Sequence, residues 1–281
     1  MAEIPRAVES LVDRIYESYE REEGNELYLS RIGASSIGGE CLREIWFSWR
    51  GFYAEKIEGR ILRLFKTGNI QEERLIKDLR NAGCVVFSHD EETGNQFSFS
   101  DSTGHFVVKP DGVITGVPSA EKAPHLLELK SVNLKGYEGL VKNGLQKEKP
   151  EHYYQIQAGM KYAAVDRGLY ISVCKDNEKM YVERVHPDKD VQADIEFRIM
   201  TLLKATMPPA QIATDKAKYP CSFCDAKEVC YGDEAPLRHC RTCENVYPYS
   251  EGAWVCTLTG STLSKDEQLK GCEHYSCMMK G

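Results

Sequence analysis

Apolar residues recur along the chain at two spacings, and each spacing predicts one type of element. Apolar positions three or four residues apart predict amphipathic helices, two of which would end at Gly51 and Gly83. These helices are predicted over 5–22, 40–51, 63–83, 136–144, 150–166 and 188–206.

Alternation of apolar and polar residues predicts the strands. The stretches "CVVFSHD" and "NQFSFSD" flank the turn-like "EETG" and predict a β-hairpin over 84–101. Two further stretches, "HFVVKPDGVI" (105–114) and "HLLELKSVN" (125–133), predict the central strands, and 169–174 and 179–185 predict two more. This order predicts a mixed α/β sheet flanked by helices and excludes a doubly wound array.

The two central strands carry charges that a sheet core normally rejects. Asp111 and then Glu128 and Lys130 form the pattern P-D-x16-E-x-K. Residues two apart on a strand share a face, so Glu128 and Lys130 project together, and an adjacent strand would bring Asp111 beside them. Such oxygen ligands suit Mg²⁺ or Mn²⁺ bound with substrate phosphates, with Lys130 positioning a water. The alternative interpretation is a structural ion pair.

Length, charge and composition restrict the class of protein that the chain can be. The chain has 281 residues and a net charge of −7, which argues mildly against nucleic acid but leaves room for a local basic groove. The lysine-rich stretch 130–149 is either one wall of such a groove or a solvated face. No apolar run reaches the roughly 20 residues that span a bilayer, and we expect an intracellular, cytoplasmic protein without a signal peptide.

Eight of the eleven cysteines follow residue 220, which in a reducing compartment favours metal binding over disulfides. Cys221, Cys224 and Cys230 have the spacing C-x2-C-x5-C, and with the distant Cys41 they would make four thiolates for Zn²⁺ or an iron–sulfur cluster. A second group consists of Cys240, Cys243, Cys256 and Cys272. Its spacing predicts a zinc ribbon or knuckle, with His239, His274 and Cys277 as spare ligands. We therefore divide the chain into a core over 1–235, closed by the first site, and a zinc-binding tail over 236–281.

The motifs "TGNIQEERLI", "HFVVKPDG", "LLELK" and "HYYQIQAGMKYA" resemble those of the PD-(D/E)xK nuclease superfamily over roughly residues 35–235. The likeness is to its RecB-type, lambda-exonuclease-type (YqaJ-type) and CRISPR-associated iron–sulfur branches. It implies a restriction-endonuclease-like mixed sheet, with a cysteine-rich metal-binding tail in this chain.

The resemblance also implies roles for residues. Glu72 takes the place of the acid on the first helix, with Glu73 as the competing choice, and the carbonyl of Leu129 joins Asp111 and Glu128 as a metal ligand. Gln155 takes the Gln position of the family's Q-x3-Y helix. Gly159 stands where the Tyr belongs, leaving Tyr162, or Tyr154 with Gln157, as replacements. His105 is either near the metal or structural.

The activity that the resemblance implies is a Mg²⁺- or Mn²⁺-dependent DNA exonuclease of phage recombination or replication, working with a single-strand annealing protein in the host cytoplasm. It favours [4Fe–4S] over Zn²⁺ at Cys41, Cys221, Cys224 and Cys230. Two alternatives stay open: a CRISPR-type end-trimming nuclease and a non-catalytic DNA-binding protein. Polarity, strand preference, processivity and oligomeric state are left open.

Overall fold

The computed structural model describes residues 8–24, 29–54, 56–90 and 92–279. The longer helices follow the predicted stripes, although residues 5–7 of the predicted first helix lie outside the described residues. The helices are α1 (Val8–Glu23), α2 (Ala34–Ile37), α3 (Leu42–Arg50), α4 (Gly59–Asn81), α5 (Leu134–Asn143), α6 (Leu145–Glu148), α7 (Pro150–Tyr162), α8 (Lys189–Lys204), α9 (Lys227–Tyr231) and α10 (Lys265–Lys270).

Ten strands in the described part of the chain form three sheets. They are β1 (Ile32–Gly33), β2 (Val85–Phe87), β3 (Phe99–Ser100), β4 (Phe106–Val108), β5 (Gly112–Thr115), β6 (His125–Val132), β7 (Gly168–Cys174), β8 (Met180–Val185), β9 (Val246–Pro248) and β10 (Trp254–Cys256). The main sheet has the order β2-β5-β6-β7-β8, in which β6 and β7 are parallel and the other pairs antiparallel. This confirms the mixed α/β fold.

The predicted hairpin over 84–101 is wrong. Only an isolated antiparallel bridge joins His89 and Gln96. β2 pairs instead with β5 in the main sheet, and β3 pairs with β4 in a small sheet with β1. The apolar side chains of the two stretches therefore pack against different partners, which a local alternation pattern does not reveal.

The stretch 105–114 also differs from the single strand predicted for it. Pro110 has no backbone N–H to give to a ladder, and the chain divides there into β4 and β5, which belong to different sheets. The division leaves Asp111 directly before β5, at the rim of the main sheet.

Helices cover both faces of the main sheet. Leu75 and Ile76 of α4 pack on the face that carries Leu127 and Leu129. The other face, which carries Leu126, is covered by α5, α6 and α7. Side chains of successive residues on β6 point to opposite faces of the sheet. Glu128 and Lys130 therefore lie on the same face as Leu126, which α7 covers.

The cysteine-rich tail packs into the core. Arg50, 2% exposed, donates to the carbonyl of Arg241 at 2.8 Å, and its guanidinium lies over the rings of Trp46, Trp49 and Trp254 at 5.0–5.6 Å. These contacts join α3 to the tail in one hydrophobic cluster. The boundary between residues 235 and 236 stays a prediction.

His105 has a structural role in the same cluster. Its ring lies edge-on to Trp49 and Trp254, and Nε2 is 2.8 Å from the carbonyl of Tyr249. Trp46 and Trp49 are buried in this core. In the described ranges, no helix combines the length and the apolar character that crossing a membrane requires.

Candidate active site

Asp111, Glu128 and Lys130 meet at the rim of the main sheet. β5 pairs with β6 through Gly112 and Leu127, so Asp111 falls beside Glu128. The Oδ2 atom of Asp111 accepts a 2.6 Å hydrogen bond from the backbone N–H of Leu129. The Nζ atom of Lys130 forms an ion pair with Oε1 of Glu128. The two carboxylates and the ammonium group thus converge as their pattern predicted.

Glu72 of α4 adds a third carboxylate to this group. It is half-buried, and with Leu129, Lys130 and Ser131 it lines a cavity of about 470 Å³. Burial raises the pKa of Glu72 to about 7, and the charge of Asp111 adds to the rise while Lys130 opposes it. Glu73, the competing choice, is exposed and does not line this cavity.

Burial and mutual repulsion dominate the electrostatics of the site. Burial raises the pKa of Glu128 to about 7, against the opposing charge of Lys130, and burial also raises the pKa of Asp111. Burial by itself would lower the pKa of Lys130, but the neighbouring carboxylates together raise it. Once they are ionised, three carboxylates around one ammonium group leave excess negative charge, which a divalent cation would neutralise.

The donor chemistry therefore fits Mg²⁺ or Mn²⁺, whereas the side-chain positions are not those of a closed coordination shell. Within the described ranges, no three His, Cys, Asp or Glu side chains are arranged as a metal site. Lys130 is paired with Oε1 of Glu128, which is a buried oxygen. A cation on this oxygen would require Lys130 to move aside.

Helix α7 forms a second wall of the site. Gln155 and His152 line a cavity of about 510 Å³ together with Lys130, so Lys130 lies between two cavities. Nδ1 of His152 is 2.9 Å from the hydroxyl of Tyr170, which lies on β7 beside Glu128. Burial, and to a lesser extent the positive charge of Lys130, lower the pKa of His152 to about 4. The imidazole of His152 is therefore neutral near pH 7.

The departure from the Q-x3-Y pattern has a packing reason. A Cβ atom on Gly159 would lie 2.3 Å from Cδ2 of Leu126, so a larger side chain at this point of α7 would require Leu126 to shift. Tyr162 packs on Phe106.

The other two replacement candidates are also occupied away from the site. Tyr154 donates to Asp194 at 2.8 Å. Gln157 donates to the carbonyl of His186. None of the three replacement candidates therefore lines either cavity beside Lys130.

Lys175 and His152 also line these cavities, and neither was among the residues predicted from the sequence. Lys175 directly follows β7, and the parallel pairing of β6 with β7 brings it beside the end of β6. His152 precedes Gln155 by three residues, a spacing that places both on one helix face. Predicting the place of Lys175 requires the order of the strands, whereas the helical spacing alone could have indicated His152.

The four thiols of the first cysteine group line one cavity of about 20 Å³. Cys41 comes from the start of α3, and the other three come from the segment 221–230. Nε of Arg43 lies 3.1 Å from Sγ of Cys230. Burial raises the pKa of Cys224 to about 12, and the carboxylate of Glu44 adds to the rise. Soft donors that are distant in the sequence thus share one small site.

The second group is also gathered in space. Burial raises the pKa of Cys240, and Cys272, Cys243 and Cys256 lie near enough to add to the rise. The ring of spare ligand His239 already contacts the carbonyl of Gly51 through Nε2 and the N–H of Arg241 through Nδ1.

The two remaining spare ligands differ in placement. His274 is exposed at the surface and lies beside Glu273. Cys277 forms a backbone bridge with Cys243, which holds it next to the group.

Comparison with known proteins found similar solved structures. An alkaline exonuclease from Laribacter hongkongensis is 19% identical over 66% of this chain and 90% of its own, with a TM-score of 0.46. A second structure of that protein, in complex with dAMP, has a TM-score of 0.46 at 18% identity, over 68% and 90% of the chains. A phage-related exonuclease from Haemophilus somnus 129PT is 16% identical over 63% and 94%, with a TM-score of 0.44. No family model and no curated protein matches the chain.

Proposed function

We propose that the chain is a Mg²⁺- or Mn²⁺-dependent DNA exonuclease that hydrolyses phosphodiester bonds at DNA ends. The observation that carries the proposal is the convergence of Asp111, Glu128 and Lys130 with Glu72 at a sheet rim between two open cavities. A purely structural ion pair would need neither the excess of carboxylates nor the solvent access.

Each residue has a chemical task in this proposal. The carboxylates of Asp111, Glu128 and Glu72, with the carbonyl of Leu129, would hold the cation, and Gln155 would orient the substrate beside them. A bound cation supplies Lewis acidity and lowers the pKa of a water. Lys130, released from Glu128, would hold the attacking water or the developing charge on the phosphoryl group.

The experiment that tests the activity compares linear DNA with a covalently closed circle, each with Mg²⁺, with Mn²⁺ and with EDTA. Loss of the linear substrate alone, dependent on the metal, is the expected result. Cutting of the circle would mean an endonuclease on the same scaffold. No cleavage of either substrate would favour the non-catalytic DNA-binding alternative.

The cellular role is a further part of the proposal. End resection in phage-type recombination or replication would take place in the cytoplasm and would deliver single strands to an annealing protein. Trimming of ends for an integrase, as in CRISPR systems, would use the same residues. Copurification with a strand-annealing protein or with an integrase separates these roles.

We also propose a structural [4Fe–4S] cluster on Cys41, Cys221, Cys224 and Cys230, with Zn²⁺ as the alternative, and a zinc ion on Cys240, Cys243, Cys256 and Cys272. Four thiolates are a suitable donor set for either metal. Cys41→Ser should remove iron and its visible absorbance while zinc stays, and Cys272→Ser should do the reverse. Two zinc ions and no iron in anaerobically purified protein would contradict the cluster.

A further inference from the structure

Cys243 and Cys277 lie directly opposite each other across a short antiparallel contact in the tail. The residue after Cys243 donates its backbone N–H to the carbonyl of the residue before Cys277 at 2.8 Å. The residue after Cys277 donates in the same way to the residue before Cys243 at 3.1 Å. These two hydrogen bonds flank the cysteines, which exchange none with each other, so Cys243 and Cys277 form a non-hydrogen-bonded pair.

The geometry of such a pair suits a disulfide. In a non-hydrogen-bonded antiparallel pair the Cα atoms lie about 4.5 Å apart and both side chains project to the same side. Disulfides join cysteines whose Cα atoms are about 4.4–6.8 Å apart, so the opposed pair falls within that range. Both thiols are free. Rotation of the two side chains can therefore form the bond without separating the two segments.

Contacts on both sides of Cys277 hold its segment in place. The hydroxyl of Tyr275 contacts the Cys277 thiol. Met278 is buried in the same hydrophobic cluster as Cys243, and its Sδ atom accepts a 2.9 Å hydrogen bond from Arg50. The two thiols are thus kept opposite each other by the packing of the tail against the core.

The two cysteines differ in exposure and in their relation to the second cysteine group. Cys243 is 5% exposed and is one of the four proposed zinc ligands. Cys277 is half-buried and stands outside those four ligands. Because oxidation of a thiol follows its exposure, an oxidant in solution reaches Cys277 before it reaches Cys243.

We propose that peroxide joins Cys243 and Cys277 in a disulfide, which withdraws Cys243 from the second cysteine group. The Cys277 thiolate attacks one oxygen of the peroxide, the O–O bond breaks, and a sulfenic acid forms with release of water. The Cys243 thiolate then attacks the sulfenic sulfur, an S–S bond forms, and the oxygen leaves as a second water. Two thiols are thereby oxidised and one hydrogen peroxide is reduced to two waters, and exchange with a dithiol reductant reverses the bond.

This bond would change the metal content of the tail. A structural zinc site uses four ligands, and the disulfide leaves only three thiolates, on Cys240, Cys256 and Cys272. Because a structural zinc ion contributes to folding, its loss should loosen residues 236–281. The cysteine pair lies outside the proposed nuclease site, and its oxidation does not depend on that function.

The test treats the zinc-loaded protein with hydrogen peroxide, blocks the remaining thiols and digests the protein without reductant, using a protease that cuts after glutamate. Cuts after Glu244 separate Cys243 from Cys256, and cuts after Glu273 separate Cys272 from Cys277. Mass spectrometry should find one linked peptide pair that carries Cys243 and Cys277 and comes apart on reduction. A chromophoric chelator should detect the release of zinc in step with the linked pair.

Two variants make this result specific. Cys277→Ser should keep its zinc as purified, form no linked pair at Cys243 and release zinc more slowly under peroxide. Cys84→Ser, at another half-buried thiol outside both cysteine groups, is the matched control and should behave as the wild type does.

Three results separate the proposals. Peroxide-induced links among the four cysteines of the second group alone, without Cys277, would overturn the pairing. Absence of zinc from purified, folded Cys277→Ser would make Cys277 a metal ligand and would also overturn it. Wild type that carries no zinc but forms the linked pair would overturn the zinc site alone.

Discussion

The carboxylate of Asp111 accepts a 2.6 Å hydrogen bond from the backbone N–H of Leu129, the residue between Glu128 and Lys130. This bond crosses from the start of β5 to the middle of β6 and fixes one oxygen of the acid against the neighbouring strand. The hydrogen bond to the carboxylate favours its ionised form, which opposes the rise in the pKa of Asp111 that burial causes. Asp111 is thus both a structural link between strands and a charged member of the site.

These two tasks can be separated by Asp111→Asn. The amide oxygen can still accept from the N–H of Leu129, so the free energy of unfolding should change little, whereas the lost charge should lower metal-dependent cleavage by roughly 100-fold or more. Denaturant unfolding and a cleavage time course measure the two effects. Asp166→Asn, at an exposed acid, is the matched control. Cleavage at the wild-type rate by folded Asp111→Asn protein would remove Asp111 from the site.

The raised pKa values predict how metal binding depends on pH. Because the folded-state pKa values of Glu72 and Glu128 lie near 7, above their ordinary values, the folded protein holds extra protons between about pH 4.5 and 7. The contribution of these groups to stability is therefore present at low pH and is lost as pH rises through about 7. Above that pH the ionised carboxylates bind a divalent cation without first releasing protons.

Thermal unfolding with and without Mn²⁺ checks this prediction. The Mn²⁺-dependent rise in the unfolding temperature should be larger at pH 8 than at pH 6, by on the order of 2–4 °C. In Asp111→Asn the Mn²⁺ effect should differ little between the two pH values. This result would show that the difference in the wild type comes from the carboxylate site and not from the cysteine sites. An equal Mn²⁺ effect at both pH values would contradict the assignment of these carboxylates as ligands.

Arg50 links the cysteine-rich tail to the core, and Arg50→Ala should loosen that link. The substitution leaves a cavity among Trp46, Trp49 and Trp254 and removes the donor to the carbonyl of Arg241, so we expect a loss of roughly 3 kcal/mol or more in unfolding free energy.

Limited proteolysis followed by mass spectrometry should then show the first cleavages in residues 236–281. Arg74→Ala, at an exposed ion pair with Glu178, should cost less than about 1 kcal/mol. A tail that resists protease equally in Arg50→Ala and in the wild type would show that Arg50 does not secure it.

The helices and the charged pair on β6 could be predicted from the sequence because their signals are local. The stripe of α4 and the spacing of Glu128 and Lys130 each need only a few neighbouring residues. Glu72 and Asp111 also lie where the motifs placed them, although their roles stay predictions.

Strand partners and long-range packing could not be predicted in this way. The prediction of a hairpin over 84–101 was wrong because β2 pairs with β5 and β3 pairs with β4, both of which come later in the chain. The same holds for Arg50: a charged residue in an apolar helix gives no sign that three tryptophans, one of them 204 positions later, enclose it.

We propose that Lys130 and the neighbouring carboxylates cleave DNA from its ends. The deciding measurement is degradation of end-labelled linear DNA with Mg²⁺ or Mn²⁺ by wild type, Lys130→Ala and the exposed-lysine control Lys122→Ala. We expect labelled mononucleotides or short products from wild type and Lys122→Ala, and a loss of roughly 100-fold or more in rate for Lys130→Ala. Degradation at the wild-type rate by Lys130→Ala, or no degradation by metal-loaded wild type, would contradict the account.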